Sequence, residues 1–270
     1  MWVERDRAVL AGLLGRDPLL HVYELGDLDD FFWPYTTWIR RGDQVVLLYG
    51  ATSPPTLLAF GRPERVAALG ALLAEVAPSL PERVYAHLSP GLVDALAGRY
   101  RVDGAVAHRR LALTDVGRLA RTPVAGAVLT GADLPDLLEL YAEAYPDNWF
   151  DPRMLETGQY VGARVAGELV AVAGVHVWSP VYRVAAVGNV ATRPGFRGRG
   201  LASAVVAGLC VRLRGGADHV ALNVRADNVS ALRLYERLGF TPVAGYGEFT
   251  LTAWGSAAAG GVVAAGADLA

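Results

Sequence analysis

The sequence predicts an α/β protein of two domains, and three observations support this. Its 270 residues are enough for two modest domains. Segments with helical apolar spacing alternate with runs of β-branched residues along both halves. The stretch 183–192, RVAAVGNVAT, has the composition of a buried strand and is followed by glycines and an amphipathic helix. A strand, a tight turn and a helix in succession are typical of α/β folds.

The first half is predicted to run helix, helix, three strands, helix, strand, helix, strand. Pro63 opens the third helix in the first-turn position that proline favours. The predicted elements are, in order, 3–14, 19–25, 36–40, 44–49, 56–60, 63–77, 83–88, 91–97 and 104–113.

The second half begins after a polar, arginine-bearing stretch at 114–123, where we place the domain boundary. Thr130 or Asp133 is expected to cap its first helix. The predicted strands are 126–129, 160–165, 168–178, 181–192, 219–223 and a closing pair at 240–243 and 247–252, with helices from 134, 152, 201 and 228. The predicted domains are therefore 1–118 and 119–254, followed by a loosely ordered Ala/Gly-rich tail at 255–270.

The turn between strand and helix, Arg197-Gly198-Arg199-Gly200-Leu201-Ala202, is the most informative motif. Glycines at a helix N-terminus leave backbone N–H groups for a phosphate and let it approach the main chain. A P-loop is excluded because the chain contains no lysine. A dinucleotide fingerprint does not fit either, because the glycines are spaced Gly195-x-x-Gly198-x-Gly200.

A third anion-binding pattern, Arg/Gln-x-x-Gly-x-Gly/Ala, fits residues 197–202, and NVSALRLYERLGF follows at 228–240. Together the two segments resemble the acetyl-coenzyme A-binding core of the GNAT superfamily of acyltransferases. The resemblance covers 126–254 well and the first half in outline. Residues 174–177 (GVHV) and the stretches GNVATRPGFRGRG and LNVRADN resemble its glycine N-acyltransferase-like branch.

This resemblance implies a GNAT fold, with a mixed, mostly antiparallel central sheet flanked by helices, in two tandem GNAT-like domains. The corresponding turn of the first half, Gly61-Arg62-Pro63, lacks the second glycine, and Pro63 has no N–H group. We therefore expect a degenerate first domain without a coenzyme site. A plain α/β cap domain is the alternative.

The resemblance also implies site residues. Coenzyme A would be bound by Val190, Ala191, Thr192, Arg197, Gly198, Arg199, Gly200, Leu201, Ala202 and Asn228. Asn228 also stands where a helix cap is expected.

Tyr235 is the expected general acid for the departing thiolate, the alternative being a half-buried aromatic on an amphipathic helix. His176 is a candidate base because histidine titrates near neutrality, although a structural histidine fits the same pattern. Glu143, Asp147 and Glu248 are further candidates on segments that flank the acceptor cleft in this fold. No metal-ligand spacing is found.

The predicted function is transfer of an acetyl group from acetyl-coenzyme A to a primary amine of a small-molecule or peptide acceptor, by direct attack in a ternary complex. The alternatives are transfer of a longer acyl group, transfer to glycine or another amino acid, and a non-catalytic acyl-coenzyme A sensor or interaction module. Trp149 and Phe150 are expected either to wall the acceptor pocket or to form a hydrophobic plug between helices.

The overall composition of the chain bears on its binding partners and on its location in the cell. A net charge of −2 gives no electrostatic reason to expect nucleic acid or an anionic membrane. The single cysteine, Cys210, is predicted to be a buried core thiol. No apolar run reaches the roughly 18 to 20 residues of a membrane span, and the first residues do not resemble a secretory signal, so a cytoplasmic protein is expected. Whether the first half covers the acceptor pocket or forms a homodimer face is left open.

Overall fold

The computed structural model describes residues 2–146 and 148–255. The predicted tail, apart from Gly255, and Asp147 lie outside the described residues. The described residues divide into two compact units: unit one comprises residues 2–108 and 244–255, and unit two comprises Arg109–Val243. The predicted boundary at 118/119 differs from this division and stays a prediction.

Unit one contains a mixed sheet with three helices. Its strands lie in the order β1-β2-β3-β4-β5-β12-β6, with β4 and β5 parallel and the pairs β1/β2, β2/β3, β3/β4 and β5/β12 antiparallel. The elements are β1 (Trp2–Glu4), α1 (Arg7–Leu14), α2 (Val22–Gly26), β2 (Thr36–Arg41), β3 (Gln44–Tyr49), β4 (Thr56–Ala59), α3 (Pro63–Val76), β5 (Arg83–Leu88), the first part of β6 (Tyr100–Leu113) and the last part of β12 (Phe240–Ala253).

Two predicted helices of unit one are shorter than expected. The side chain of Asp6 accepts hydrogen bonds from the N–H groups of Ala8 and Val9, which fixes the start of α1 at Arg7, and Trp2–Glu4 pairs with β2 instead. The predicted helix at 91–97 is a single 3-10 segment, Val93–Leu96. Other 3-10 segments of this unit are Trp33–Tyr35 and Ala77–Ser79.

The core of unit one lies between α3 and the sheet. Leu69, Leu72, Leu73 and Val76 form the buried face of α3, at the spacing that a helix packed on one side requires. They pack with inward-facing strand residues, among them Val46, Leu57, Val84, Ala86 and Leu251.

Unit two repeats the same order of elements. Its strands lie in the order β6-β11-β10-β9-β8-β7; β10 and β11 are parallel, and β7/β8, β8/β9 and β9/β10 are antiparallel. The elements are the last part of β6, α4 (Val116–Ala120), β7 (Ala127–Val128), α5 (Leu134–Ala144), β8 (Val161–Val165), β9 (Glu168–Ser179), β10 (Val184–Thr192), α6 (Leu201–Leu213), β11 (His219–Arg225), α7 (Val229–Leu238) and the first part of β12, with 3-10 segments at Gly131–Asp133, Pro152–Thr157 and Pro194–Phe196.

Both residues proposed as the cap of α5 instead cap the 3-10 segment Gly131–Asp133 that leads into it, and the side chain of Asp133 makes no cap hydrogen bond to α5 itself. Thr130 accepts a hydrogen bond from the N–H of Ala132, and Asp133 accepts one from the N–H of Thr130. This reciprocal capping box precedes α5. The polar stretch 114–123, in which the domain boundary is predicted, contains α4, which is capped by Asp115 and has Leu119 buried.

The predicted closing pair of strands is wrong: residues 240–253 form the single long strand β12. Gly247, at the predicted start of the second strand, lies within β12 and is needed for packing. A side chain there would meet the ring of Phe249, because a Cβ would fall 2.4 Å from its Cζ atom.

The prediction of a mixed, mostly antiparallel α/β fold with a repeated arrangement is confirmed. Cys210 is fully buried as expected, and burial raises the pKa of its thiol to about 12. Among the described residues, none of the helices combines the length and the apolar character that a membrane crossing requires.

Candidate active site

The site begins where two parallel strands part. Pairing of β10 with β11 runs from Val184↔His219 to Val187↔Leu222. Strand β10 continues to Thr192 and stays paired with β9 on its other side, through Ala191↔Val172 and Thr192↔Ala171. The register of that pairing shifts between Gly188 and Ala191, which marks a bulge. Residues 188–192 of β10 are therefore paired with β9 on one side but no longer with β11 on the other.

Asn189 stands at the bulge with a left-handed backbone (φ +53°), which asparagine tolerates better than most residues. Its carbonyl oxygen accepts a hydrogen bond from the Tyr141 hydroxyl (2.9 Å), and its side-chain amide donates to the Tyr160 hydroxyl (2.9 Å). The Tyr160 hydroxyl in turn donates to the carbonyl of Val175 (3.2 Å). These buried bonds hold the bulge from α5 and from Tyr160, which directly precedes β8 and is itself bound to β9.

Asn189, Tyr141 and Tyr160 were not predicted from the sequence as contributors to the site. The sequence does contain one indication of this role: Asn189 is a polar residue inside an otherwise apolar strand. A buried polar side chain at such a position needs hydrogen-bond partners. The partners themselves come from residues 29 and 48 positions away.

The predicted phosphate turn has the expected backbone. Gly198 and Gly200 adopt φ values of +75° and +79°, a region that side chains with a Cβ rarely occupy. Gly200 is the N-cap of α6, and the first intrahelical bond runs from the N–H of Ala204 to Gly200. The N–H groups of Leu201, Ala202 and Ser203 belong to the first turn, where a helix supplies no carbonyl partner. The turn is exposed to solvent from Gly198 to Gly200.

The arginines near the turn divide into three roles. Arg197 donates to the carbonyls of Thr192 (3.2 Å) and Ala144 (3.3 Å), so its guanidinium joins the end of β10 to the end of α5. Arg199 donates to the carbonyl of Gly195 and lies over the ring of Phe196. Arg193 is buried and forms ion pairs with carboxylates of α5 and β9.

Two buried acceptors on β10 lack a hydrogen-bond partner among the described residues: Asn189 Oδ1 and Thr192 Oγ1. Asn189 is 1% exposed and Thr192 is 5% exposed. Buried polar atoms are nearly always paired in folded proteins. Both atoms lie on the segment 188–192, where a ligand with amide or hydroxyl groups could pair with them.

His176 lies against the bulge. A Cβ on Gly188 would fall 1.9 Å from its Cδ2 and 2.2 Å from its Nε2, so only glycine at 188 lets the imidazole rest on β10. The ring of Trp149 lies beside the imidazole, with 6.1 Å between centroids and an interplanar angle of 38°. The candidate base and the predicted aromatic loop are therefore neighbours.

Tyr235 is 5% exposed on α7, and its ring meets Phe240 edge to face at 5.7 Å. Asn228 caps α7: its Oδ1 accepts hydrogen bonds from the N–H of Ala231 and the hydroxyl of Ser230. The capping role of Asn228 is confirmed. Contact of either residue with coenzyme stays a prediction.

Two further candidate bases are already engaged. Glu143 pairs with Arg193, whose guanidinium also contacts Glu139, Glu168 and the carbonyl of Leu169. Glu248 belongs to unit one, where it is surrounded by His87, His108, Tyr85 and Tyr246. Asp147 lies outside the described residues.

The corresponding strand ends of unit one are joined by hydrogen bonds, and the expected absence of a coenzyme site there stays a prediction. After the parallel pair β4/β5, the N–H of Ser89 donates to Ala59, and the Ser89 hydroxyl accepts from the N–H of Gly61. These bonds hold the ends of β4 and β5 together. At the corresponding place in unit two, the pairing of β10 with β11 has ended. The side chain of Arg62 is bound by Asp17 in two hydrogen bonds, which raises the pKa of Arg62 and lowers that of Asp17.

No group of three or more His, Cys, Asp or Glu side chains capable of holding a metal ion occurs within residues 2–146 and 148–255.

Comparison with known proteins identifies the second unit. The Acetyltransferase (GNAT) family matches residues 131–240. The N-alpha-acetyltransferase RimI of Mycobacterium tuberculosis is 35% identical over 130 residues, which cover 45% of this chain and 80% of RimI. A mycothiol acetyltransferase of Clavibacter sepedonicus is 32% identical over 206 residues, 66% of this chain and 64% of that protein. The chain thus spans less than two thirds of that relative.

A solved structure supports the tandem arrangement. A tandem GNAT protein from the clavulanic acid biosynthesis pathway aligns over 93% of this chain and 95% of its own, with a TM-score of 0.55 and 17% identity. At this identity the likeness concerns the fold alone. The glycine N-acyltransferase-like sub-branch stays a prediction, since neither RimI nor the mycothiol acetyltransferase carries that name.

Proposed function

The chain belongs to the GNAT family of acetyltransferases, and from this membership we propose that unit two transfers an acetyl group from acetyl-coenzyme A to the primary amine of an acceptor. The observation that carries the proposal is the parting of β10 from β11 beyond Val187, directly before the glycine turn. The strand edge can pair with a ligand arm that carries amides, and the helix N-terminus that follows it can bind a diphosphate.

The carrier would be held by main chain. N–H groups from Gly198 to Ala202 would bind the diphosphate, assisted by the positive end of the α6 dipole. Val190, Ala191 and Thr192 would pair with the amides of the arm, where the partnerless Thr192 hydroxyl supports the assignment. The exposed Arg199 and the half-buried Asn228 would add side-chain contacts to the carrier, as the family resemblance implies. Arg197 would act indirectly, by holding the end of β10 to α5. When bound, the coenzyme supplies an activated acyl group as a thioester.

The bulge would polarise the acyl group. A main-chain N–H at Val190 or Ala191, aimed by the Asn189 network, would donate to the oxygen on which negative charge develops. One such donor is worth roughly 3 to 4 kcal/mol of transition-state stabilisation.

His176 and Tyr235 would move the protons. His176 takes a proton from the acceptor ammonium, which frees the nitrogen lone pair to form a bond with the acyl carbon as the carbon–sulfur bond breaks. Tyr235 donates its phenolic proton to the departing thiolate and recovers it from solvent. The products are the N-acetyl amide and free coenzyme A. No activated nucleophile of the chain is needed, and Cys210 is buried as a thiol.

The proposal is tested by thiol release from acetyl-coenzyme A with a panel of amines. The variant Tyr235→Phe should lower kcat by about a hundredfold while KM for acetyl-coenzyme A changes little, because a proton donor acts on the chemical step. Tyr182→Phe, on a turn of the same unit, is the control and should retain full turnover.

Full turnover of Tyr235→Phe at every pH would remove Tyr235 from the mechanism. Binding of coenzyme A without thiol release for any amine would instead favour the non-catalytic sensor.

A further inference from the structure

The loop between α5 and the following 3-10 segment carries two aromatic residues with different surroundings. Phe150 packs between Tyr141 and Tyr160, at centroid distances of 5.2 and 5.7 Å. Trp149 stays 40% exposed and touches His176. Phe150 is thus the hydrophobic plug, and it holds Trp149 in place.

The position of Trp149 relative to the reacting group follows from two contacts. The imidazole of His176 rests on Gly188 at the bulge, and the ring of Trp149 lies next to that imidazole in a tilted arrangement. An acceptor whose nitrogen reaches the bulge therefore has the rest of its skeleton beside Trp149. A large exposed aromatic face in such a place is suited to stacking with a planar group.

The charged groups on α5 and on the loop that carries Trp149 disfavour acceptors with a second charged group. The carboxylates of α5 and the described carboxylate of the loop are all in ion pairs: Asp136 with Arg164, Glu139 and Glu143 with Arg193, and Asp151 with Arg153. The Arg153 partner lowers the pKa of Asp151, so the carboxylate stays ionised and occupied. Among these described groups, each carboxylate is already paired with an arginine, which leaves none to bind the second ammonium of a polyamine. Arg153 and Arg193 are likewise already paired with carboxylates, so they are poorly suited to bind the carboxylate of an amino acid.

Resting on the proposed function, we infer that the acceptor is an arylalkylamine: a primary amine on a short alkyl chain whose aromatic ring stacks on Trp149 beside His176. The ring contributes binding and the amine contributes the reacting nitrogen. The bond changes are those of the proposed function, with a nitrogen–carbon bond formed and a carbon–sulfur bond broken.

The test compares kcat/KM for phenethylamine, n-butylamine and spermidine in the thiol-release assay, with the wild-type chain and Trp149→Ala. Phenethylamine should exceed both other amines by about tenfold or more in the wild type. Trp149→Ala should lower kcat/KM for phenethylamine about tenfold, through KM, and leave n-butylamine within about twofold, because stacking is equal in the ground and transition states. Trp254→Ala, which removes an exposed tryptophan of unit one, is the control and should change neither.

The outcomes separate this inference from the proposed function. Equal rates for phenethylamine and n-butylamine, or equal losses for both in Trp149→Ala, would overturn the arylalkylamine while leaving the acetyltransferase intact. A faster reaction with spermidine would do the same and favour a polycationic acceptor. No thiol release with any of the three amines would contradict the inference, and failure with a broad amine panel would contradict the proposed function as well.

Discussion

At the scale of single residues, the bulge of β10 depends on hydrogen bonds that come from outside the strand. Asn189 adopts a left-handed backbone because Tyr141 and Tyr160 hold its carbonyl and its side chain. Tyr160 is fully buried, its ring covers Gly174, and burial raises the pKa of its hydroxyl. The hydroxyl therefore acts as a neutral hydrogen-bonding group that positions the bulge.

Tyr160→Phe removes that hydroxyl, so the Asn189 amide loses its hydrogen-bond acceptor and the Val175 carbonyl loses its hydrogen-bond donor. We expect a loss of about 1 to 3 kcal/mol in the free energy of unfolding, measured by urea denaturation. We also expect kcat to fall about tenfold, short of the roughly hundredfold that accompanies complete loss of an oxyanion donor.

Tyr100→Phe is the matched control. Its buried hydroxyl donates to the carbonyl of Pro81 in unit one, so its removal should cost similar stability without lowering kcat. Equal kcat values for the wild type and Tyr160→Phe would show that the hydroxyl has no part in positioning the bulge.

At the scale of elements, the end of β12 places an acid in the interior of unit one. Glu248 is 7% exposed and is surrounded by His87 and Tyr85 from β5, His108 from β6, and Tyr246 from β12 itself. Burial alone would raise the pKa of Glu248. The two histidines and the two hydroxyls outweigh burial and hold that pKa below its ordinary value.

Stability should depend on pH through this lowered pKa. The ionised carboxylate stabilises the folded chain at pH values above the unfolded pKa, near 4.5, and this contribution is lost as the pH falls through the lower folded pKa. Glu248→Gln should therefore be less stable than the wild type by about 1 to 3 kcal/mol at pH 7, and the difference should shrink below pH 4.5.

Urea denaturation at about pH 7 and about pH 4 measures the difference. Glu75→Gln is the control, since it breaks an exposed ion pair with Arg41 in the same unit and should cost at most about 1 kcal/mol. A Glu248→Gln difference that grows as the pH falls would contradict the assignment.

Elements whose signals are local could be predicted from the sequence, and elements that depend on distant partners could not. The glycine turn, the cap at Asn228 and the buried face around Cys210 follow from spacing and residue type, and all three are found. The continuity of β12 could not be predicted, because Gly247 makes room for a ring rather than a turn.

The site shows the same division. The backbone conformation of the glycine turn was predictable because Gly198 and Gly200, two positions apart, allow left-handed backbone. The contact of His176 with Gly188, the engagement of Glu143 by Arg193 and the anchoring role of Arg197 depend on which strands and helices become neighbours. A single sequence carries no local signal for such pairings.

At the scale of the whole molecule, the chain repeats one arrangement of elements, and the two copies differ at the carboxyl ends of their parallel strand pairs. In unit two the strands part and a glycine turn with first-turn N–H groups comes next. In unit one Ser89 closes the strand ends and Pro63 occupies the start of the helix. We therefore predict one coenzyme A site per chain.

Isothermal titration calorimetry with coenzyme A tests this most directly, with Gly200→Ala and Gly42→Ala as a matched pair. Both glycines have left-handed backbones and open space where a Cβ would stand, so the two variants carry similar strain. We predict one molecule bound per wild-type chain, about tenfold or more weaker binding to Gly200→Ala and unchanged binding to Gly42→Ala. Absence of binding to the wild type, two molecules per chain, or equal affinity in Gly200→Ala would contradict the assignment of a single site at the glycine turn.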